Sequence, residues 1–216
     1  MELSIPQLIA VYAIPVILAI TLHEAAHAFV ASRLGDRTAQ SQGRVTANPL
    51  RHIDPVGTLL VPGLILLVST GGLLFGWAKP VPVIASNLRS PRRDMGLVAA
   101  AGPGANFAMA LAWGIALKLM LAMGLGHEYL LRMAWAGVLV NIALAVLNLI
   151  PVPPLDGGRI VTSLLPPQLA MPYSRLGPFG LVILLALLVT GALGGILAPL
   201  VYNSVDVLAT LLSLNS

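Results

Sequence analysis

His23 and His27 stand four residues apart, with Glu24 beside the first, in His23-Glu24-Ala25-Ala26-His27. Positions four apart share one face of a helix, so both imidazoles can reach one metal ion while the carboxylate lies next to it. Those residue types suit metal-assisted hydrolysis, in which the imidazoles hold the ion and Glu24 takes a proton from a water that the ion acidifies. The setting sharpens this expectation. The motif lies inside an apolar run over 7–34, long enough to cross a bilayer, where ionisable groups are costly unless they have partners or water. A polar trio that packs helices together is the plainer alternative.

Two histidines leave a metal site incomplete, because a catalytic zinc normally takes three protein ligands and keeps one position open. No cysteine is present, which excludes thiolate ligands, cysteine nucleophiles and disulfides and leaves His, Asp or Glu as the side chains to complete the site. His52 and Asp54 lie in a basic loop, His127 and Glu128 in a short turn, and Asp206 in the last apolar run. Asp156 stands apart, because it closes Asn148-Leu149-Ile150-Pro151-Val152-Pro153-Pro154-Leu155-Asp156-Gly157-Gly158. The prolines there lack N–H groups and break a helix, and the glycines let backbones approach closely. A break of this kind at membrane depth makes sense beside a cavity; an Asp that caps the next helix is the alternative.

The elements that must position these groups follow from composition. The 216 residues are 57% hydrophobic and 9% charged, with mean hydropathy +0.91, which excludes a soluble globular domain and points to an integral membrane protein. Apolar segments run at 7–34, 56–75, 97–124, 130–150, 178–192 and 196–213. Arg33, Arg37, Arg44 and Arg51 precede the second of these, and Lys79, Arg89, Arg92 and Arg93 follow it. A full crossing at 56–75 would leave one basic cluster outside, against the positive-inside tendency. Pro62-Gly63 and Gly71-Gly72 also interrupt that segment. The expectation is therefore an all-α polytopic membrane protein of about five transmembrane helices, plus a re-entrant or membrane-associated extended segment over 56–90. Its N-terminus is outside, and His23 to His27 and Asn148 to Gly158 meet near the cytoplasmic end. The basic clusters are membrane flanks, with no nucleic-acid role. The first run lacks a basic n-region and carries the histidine motif, so it is not read as a cleaved signal. No fixed-period repeat or linker divides the chain, which reads as one domain over 1–216.

Together, His23 to His27 and Asn148 to Gly158 resemble the paired signatures of the site-2 proteases, zinc metalloproteases that cleave transmembrane helices. Gly102-Pro103-Gly104-Ala105-Asn106 is similar to that family's Gly-x-x-x-Asn element, and Gly76-Trp77-Ala78-Lys79-Pro80-Val81-Pro82-Val83 to its membrane-associated extended segment. The resemblance implies one zinc ion held by His23, His27 and Asp156, with Glu24 as base and Asn148 supporting the oxyanion. It also implies that Asn106 contacts unwound substrate backbone, and that the partners are a transmembrane protein substrate and the lipid bilayer. The chain looks like a minimal core, without a PDZ or CBS domain.

Alternatives stay open for two of these residues and for the extended segment. Asn148 could instead cap the broken helix end, and Asn106 could belong to a small-residue packing face. In Lys79 to Val83, Pro80 and Pro82 carry no N–H, so an extended chain there keeps donors from Val81 and Val83 on one edge, where a substrate strand could add. A rigid proline-rich turn is the other account. For the whole chain, an ion or proton transporter relaying through His23, Glu24, His27 and Asp156 would favour inverted symmetry, of which the sequence gives no sign. An inactive scaffold would have no need of an intact motif with a third ligand.

Overall fold

A computed structural model describes residues 4–52, 54 and 79–214. In those residues helices alternate with turns, and no strand is present among them. The long elements are α1 (Ile5–Arg33), α3 (Pro91–Ala122), α4 (Glu128–Asn148) and α8 (Ala192–Leu211). Between them lie the short helices α2 (Thr38–Ser41), α5 (Asp156–Leu164), α6 (Pro167–Ser174) and α7 (Gly180–Val189). In a bilayer every backbone N–H and C=O must find a partner inside its own segment, so these apolar runs become helices. The four long ones are long and apolar enough to span a membrane.

The run over 178–192 departs from the expected single span. Its helix, α7, has ten residues, about 15 Å at 1.5 Å per residue against a hydrocarbon core of about 30 Å. A tight turn over Gly177–Phe179 leads into it, and the stretches Pro167–Phe179 and Val182–Val189 meet at 66°. Among the described residues there are thus four helices long and apolar enough to span, or five if this bent pair counts as one span. The expected re-entrant segment over 56–75, and Gly76 to Ala78 of the extended segment, lie outside the described residues. The part that is described, 79–84, is irregular chain leading to a single tight turn at Ala85–Asn87.

Helix α3 is the hub and packs against α1, α4 and α5, while α4 also packs against α1 and α8. One apolar cluster joins Ala110 of α3, Val138, Ile142 and Val146 of α4, and Val205 of α8. A second, nearer the motif end of α1, joins Ala31, Leu88 and Val98. The facing surfaces are rich in Ala and Gly, as expected where helices approach closely without a hydrophobic driving force between them. At the end of α4, Leu149 to Leu155 folds into turns before α5 begins. A Cβ on Gly157 would lie 2.2 Å from the Leu149 carbonyl oxygen, so only glycine lets the start of α5 press onto that turn and bring Asp156 inward.

Candidate metal centre

Three buried side chains from two distant helices converge: His23 and His27 on α1, and Asp156 at the first turn of α5. The Nε2 atoms of the two imidazoles are 3.0 Å apart, and Asp156 Oδ2 lies 3.2 Å from the first and 3.3 Å from the second. Zinc bonds of 2.0–2.1 Å in tetrahedral geometry set neighbouring ligand atoms about 3.3 Å apart, so the triangle has the size of one face of such a coordination shell. Asp156 is also not an N-cap, since that position falls on Leu155.

The hydrogen bonds behind the triangle fix what its corners can do. His27 Nδ1 faces the Val98 carbonyl oxygen at 2.7 Å, and a carbonyl only accepts, so Nδ1 carries a proton and, in the neutral ring that binds a metal, Nε2 presents a lone pair. His23 Nδ1 likewise donates to Asn106 Oδ1 at 2.6 Å. Asp156 Oδ2 is buried and accepts no hydrogen bond. Three electron-pair donors thus aim at one small space inside an apolar bundle, an arrangement that is unfavourable without a cation among them. Gly102 of α3 borders the same space: a Cβ there would stand 2.4 Å from His27 Nε2 and 2.6 Å from His23 Nε2. The residues fit a metal ion, and the room for it depends on a missing side chain.

Glu24, half-buried, is one residue on from His23, about 100° round the helix, and its carboxylate is held from outside α1. The Val81 amide donates to Glu24 Oε2 at 2.9 Å, which turns that edge of the 79–84 segment toward the motif. The segment is pinned at both ends. Arg44, buried, donates to the Lys79 carbonyl at 2.6 Å, and the Lys79 amide donates to the His52 carbonyl at 3.0 Å. At the other end Asp36, fully buried, accepts from the Ile84 amide at 2.6 Å and from the Asn87 side chain at 3.2 Å, and its Thr38 contacts are closer to home. Burial by itself raises the Asp36 carboxyl, but the hydrogen bonds from the Thr38 hydroxyl and the Ile84 and Thr38 amides outweigh it and hold the group below its ordinary range. It is therefore ionised at neutral pH, when its acceptors are needed.

The other expected site residues sit as follows. Asn106 is fully buried, and its amide hydrogens go to Asn141 Oδ1 at 2.9 Å and the Ala19 carbonyl at 3.3 Å. It faces His23 and the neighbouring helices, with both donors engaged. Asn148 ends α4 and donates one amide hydrogen to the Leu144 carbonyl at 3.0 Å, which leaves its second hydrogen. Val83 packs beside the cluster of Ala28, Ala39 and Val81. Asn141, Arg44 and Asp36 carried no motif signal; only a polar residue within an apolar run, as at Asn141, hinted at a role. Val98 acts through its carbonyl oxygen, which no side-chain pattern reveals.

A bundle of membrane-spanning helices that buries a His, His, Asp centre on the HExxH pattern defines a membrane-embedded metallopeptidase. Residues 125–190, which include Asn148 and Asp156, match the model of Peptidase family M50. The chain is 36% identical over 208 residues to "Putative zinc metalloprotease YwhC" of Bacillus subtilis, covering 93% of this chain and 90% of that one. It is 30% identical over 193 residues to a protein of the same designation, Rip2, of Mycolicibacterium smegmatis, and 32% identical over 190 residues to Rip2 of Mycobacterium tuberculosis. Each of these alignments covers 86% of this chain and 69% of the relative. This chain belongs to peptidase family M50, the zinc metalloproteases of the site-2 type. No solved structure gives a significant match.

Proposed function

We propose that the chain is an intramembrane endopeptidase that hydrolyses peptide bonds in or near the transmembrane segments of membrane proteins, at a site nearer the cytoplasmic side. The observation that carries this is the triangle of His23 Nε2, His27 Nε2 and Asp156 Oδ2, all three electron-pair donors, inside a bundle of spanning helices. Zinc bound there supplies Lewis acidity, which brings the pKa of a water from 15.7 to about 7 and polarises a carbonyl. His23, His27 and Asp156 hold it. Glu24 takes the proton of the attacking water on the carboxylate oxygen not occupied by the Val81 amide, then returns it to the leaving amine nitrogen. Asn148, with one amide hydrogen left over, donates to the oxyanion.

A transmembrane substrate keeps its peptide groups bonded within its helix, so it must unwind before it can be cut. The Lys79–Val83 edge is suited to hold it extended. Pro80 and Pro82 offer no donors and the Val81 amide is taken by Glu24, so of the two expected edge donors Val83 is the one left to pair with a strand lying along the site. Replacing Val83 with proline removes a donor from that edge and leaves the Val81 contact in place. It is expected to stop cleavage while zinc stays bound; normal turnover by this variant would count against pairing.

The metal assignment is tested by zinc per chain in the purified wild type, His23→Ala and Asp156→Ala. One ion in the wild type, lost or sharply weakened in both variants, joins the two motifs into one centre. Zinc retained by Asp156→Ala at wild-type affinity would send the third ligand elsewhere.

A further inference from the structure

Behind His23 runs a chain of side chains in which each donor and acceptor is determined by the next. Asn141 donates its amide hydrogen to the Gly137 carbonyl at 2.8 Å, and since a carbonyl only accepts, Asn141 must turn Oδ1 the other way, toward Asn106. Asn106 presents its amide nitrogen to that oxygen and to the Ala19 carbonyl. Its own Oδ1 therefore faces His23 Nδ1. A reversed Asn106 amide would offer a donor to Nδ1, move the ring proton to Nε2, and put a hydrogen where an electron pair is needed. Both asparagines are fully buried, so bulk water does not compete for either partner. His27 has no such dependence, because its Nδ1 donates to a main-chain carbonyl.

We propose that Asn141 and Asn106 act in series as positioning residues: Asn141 sets the orientation of the Asn106 amide, and Asn106 sets the proton position and aim of the His23 ring. This rests on His23, His27 and Asp156 being metal ligands. Outer partners of metal-bound histidines are worth about 10–100-fold in metal affinity. The competing account is that the two amides merely tie α1, α3 and α4 together. That account predicts a less stable bundle with unchanged affinity in whatever remains folded.

The test is Zn²⁺ affinity by chelator competition on the full-length chain in detergent micelles, with thermal stability of the metal-free protein measured beside it. Asn106→Leu should weaken zinc by about 10–100-fold. Asn141→Leu should weaken it less, because the Ala19 carbonyl still holds one Asn106 hydrogen. The double variant should bind no more weakly than Asn106→Leu alone, since a residue acting only through another adds nothing once that one is gone. Asn141→Ala, measured in the same way, serves if leucine at 141 disturbs the packing. Wild-type affinity in both folded Asn141 variants, or losses that add in the double variant, overturns the relay and leaves the ligand assignment intact. A wild type without zinc would instead overturn the ligand assignment, and the relay with it.

Discussion

Glu24→Gln is expected to keep one zinc ion per chain and lose about 10²–10⁴-fold in peptide hydrolysis, the usual range for a positioned acid–base group. Glutamine matches glutamate in shape, and its carbonyl oxygen can still accept the Val81 amide, which now lies 2.9 Å from Oε2. The 79–84 segment should therefore stay where it is. Metal binding should also be unaffected, since the three electron-pair donors are His23, His27 and Asp156. What the amide cannot do is hold a proton taken from water and pass it on. The measurement is cleavage of a transmembrane peptide that the wild type cuts, with zinc determined on the same preparation. Wild-type turnover by Glu24→Gln would remove Glu24 from the mechanism, and loss of zinc along with activity would make it a ligand instead.

Gly102→Ala should abolish metal binding without unfolding the protein. The added methyl would stand 2.4 Å from His27 Nε2 and 2.6 Å from His23 Nε2, close to the 2.0–2.1 Å of a zinc–nitrogen bond. It would take the ion's room, and any shift of the rings to relieve the overlap would spread the 3.0–3.3 Å triangle. In the middle of α3, alanine is intrinsically the better helix former by about 1 kcal/mol, so the backbone itself has no reason to fail. Loss of zinc from a variant whose helical circular dichroism matches the wild type is the expected pair of results. One tightly bound zinc ion per chain in Gly102→Ala would place the metal away from α3.

Both experiments depend on a centre that was partly legible in the residues alone. The spacing of His23 and His27 needs nothing beyond the period of a helix, and the apolar length around them announces a membrane span. Asp156 emerged because so few ligating side chains exist here and because its surrounding prolines and glycines are out of place in a plain span. The bend between Phe179 and Val182 was harder to see, since the run over 178–192 is apolar and hydropathy does not register a change of direction. Asn106 fits the same pattern. Its spacing from Gly102 suggested a substrate contact or packing, whereas its place against His23 depends on how α3 is rotated about its own axis relative to α1.

What the sequence alone determined is whatever is set along the chain: which runs are long enough to span, which side chains share a helical face, where helices must break, and which residue types remain to hold a metal. Tertiary structure decided which atoms meet. It brought Asp156 Oδ2 to the two imidazoles, gave the Val81 amide to Glu24, and placed Asn141 behind Asn106. The physical reason is that periodicity and hydropathy are local properties, while the direction of a lone pair or an N–H is settled by the partner across the helix interface, which no local pattern specifies.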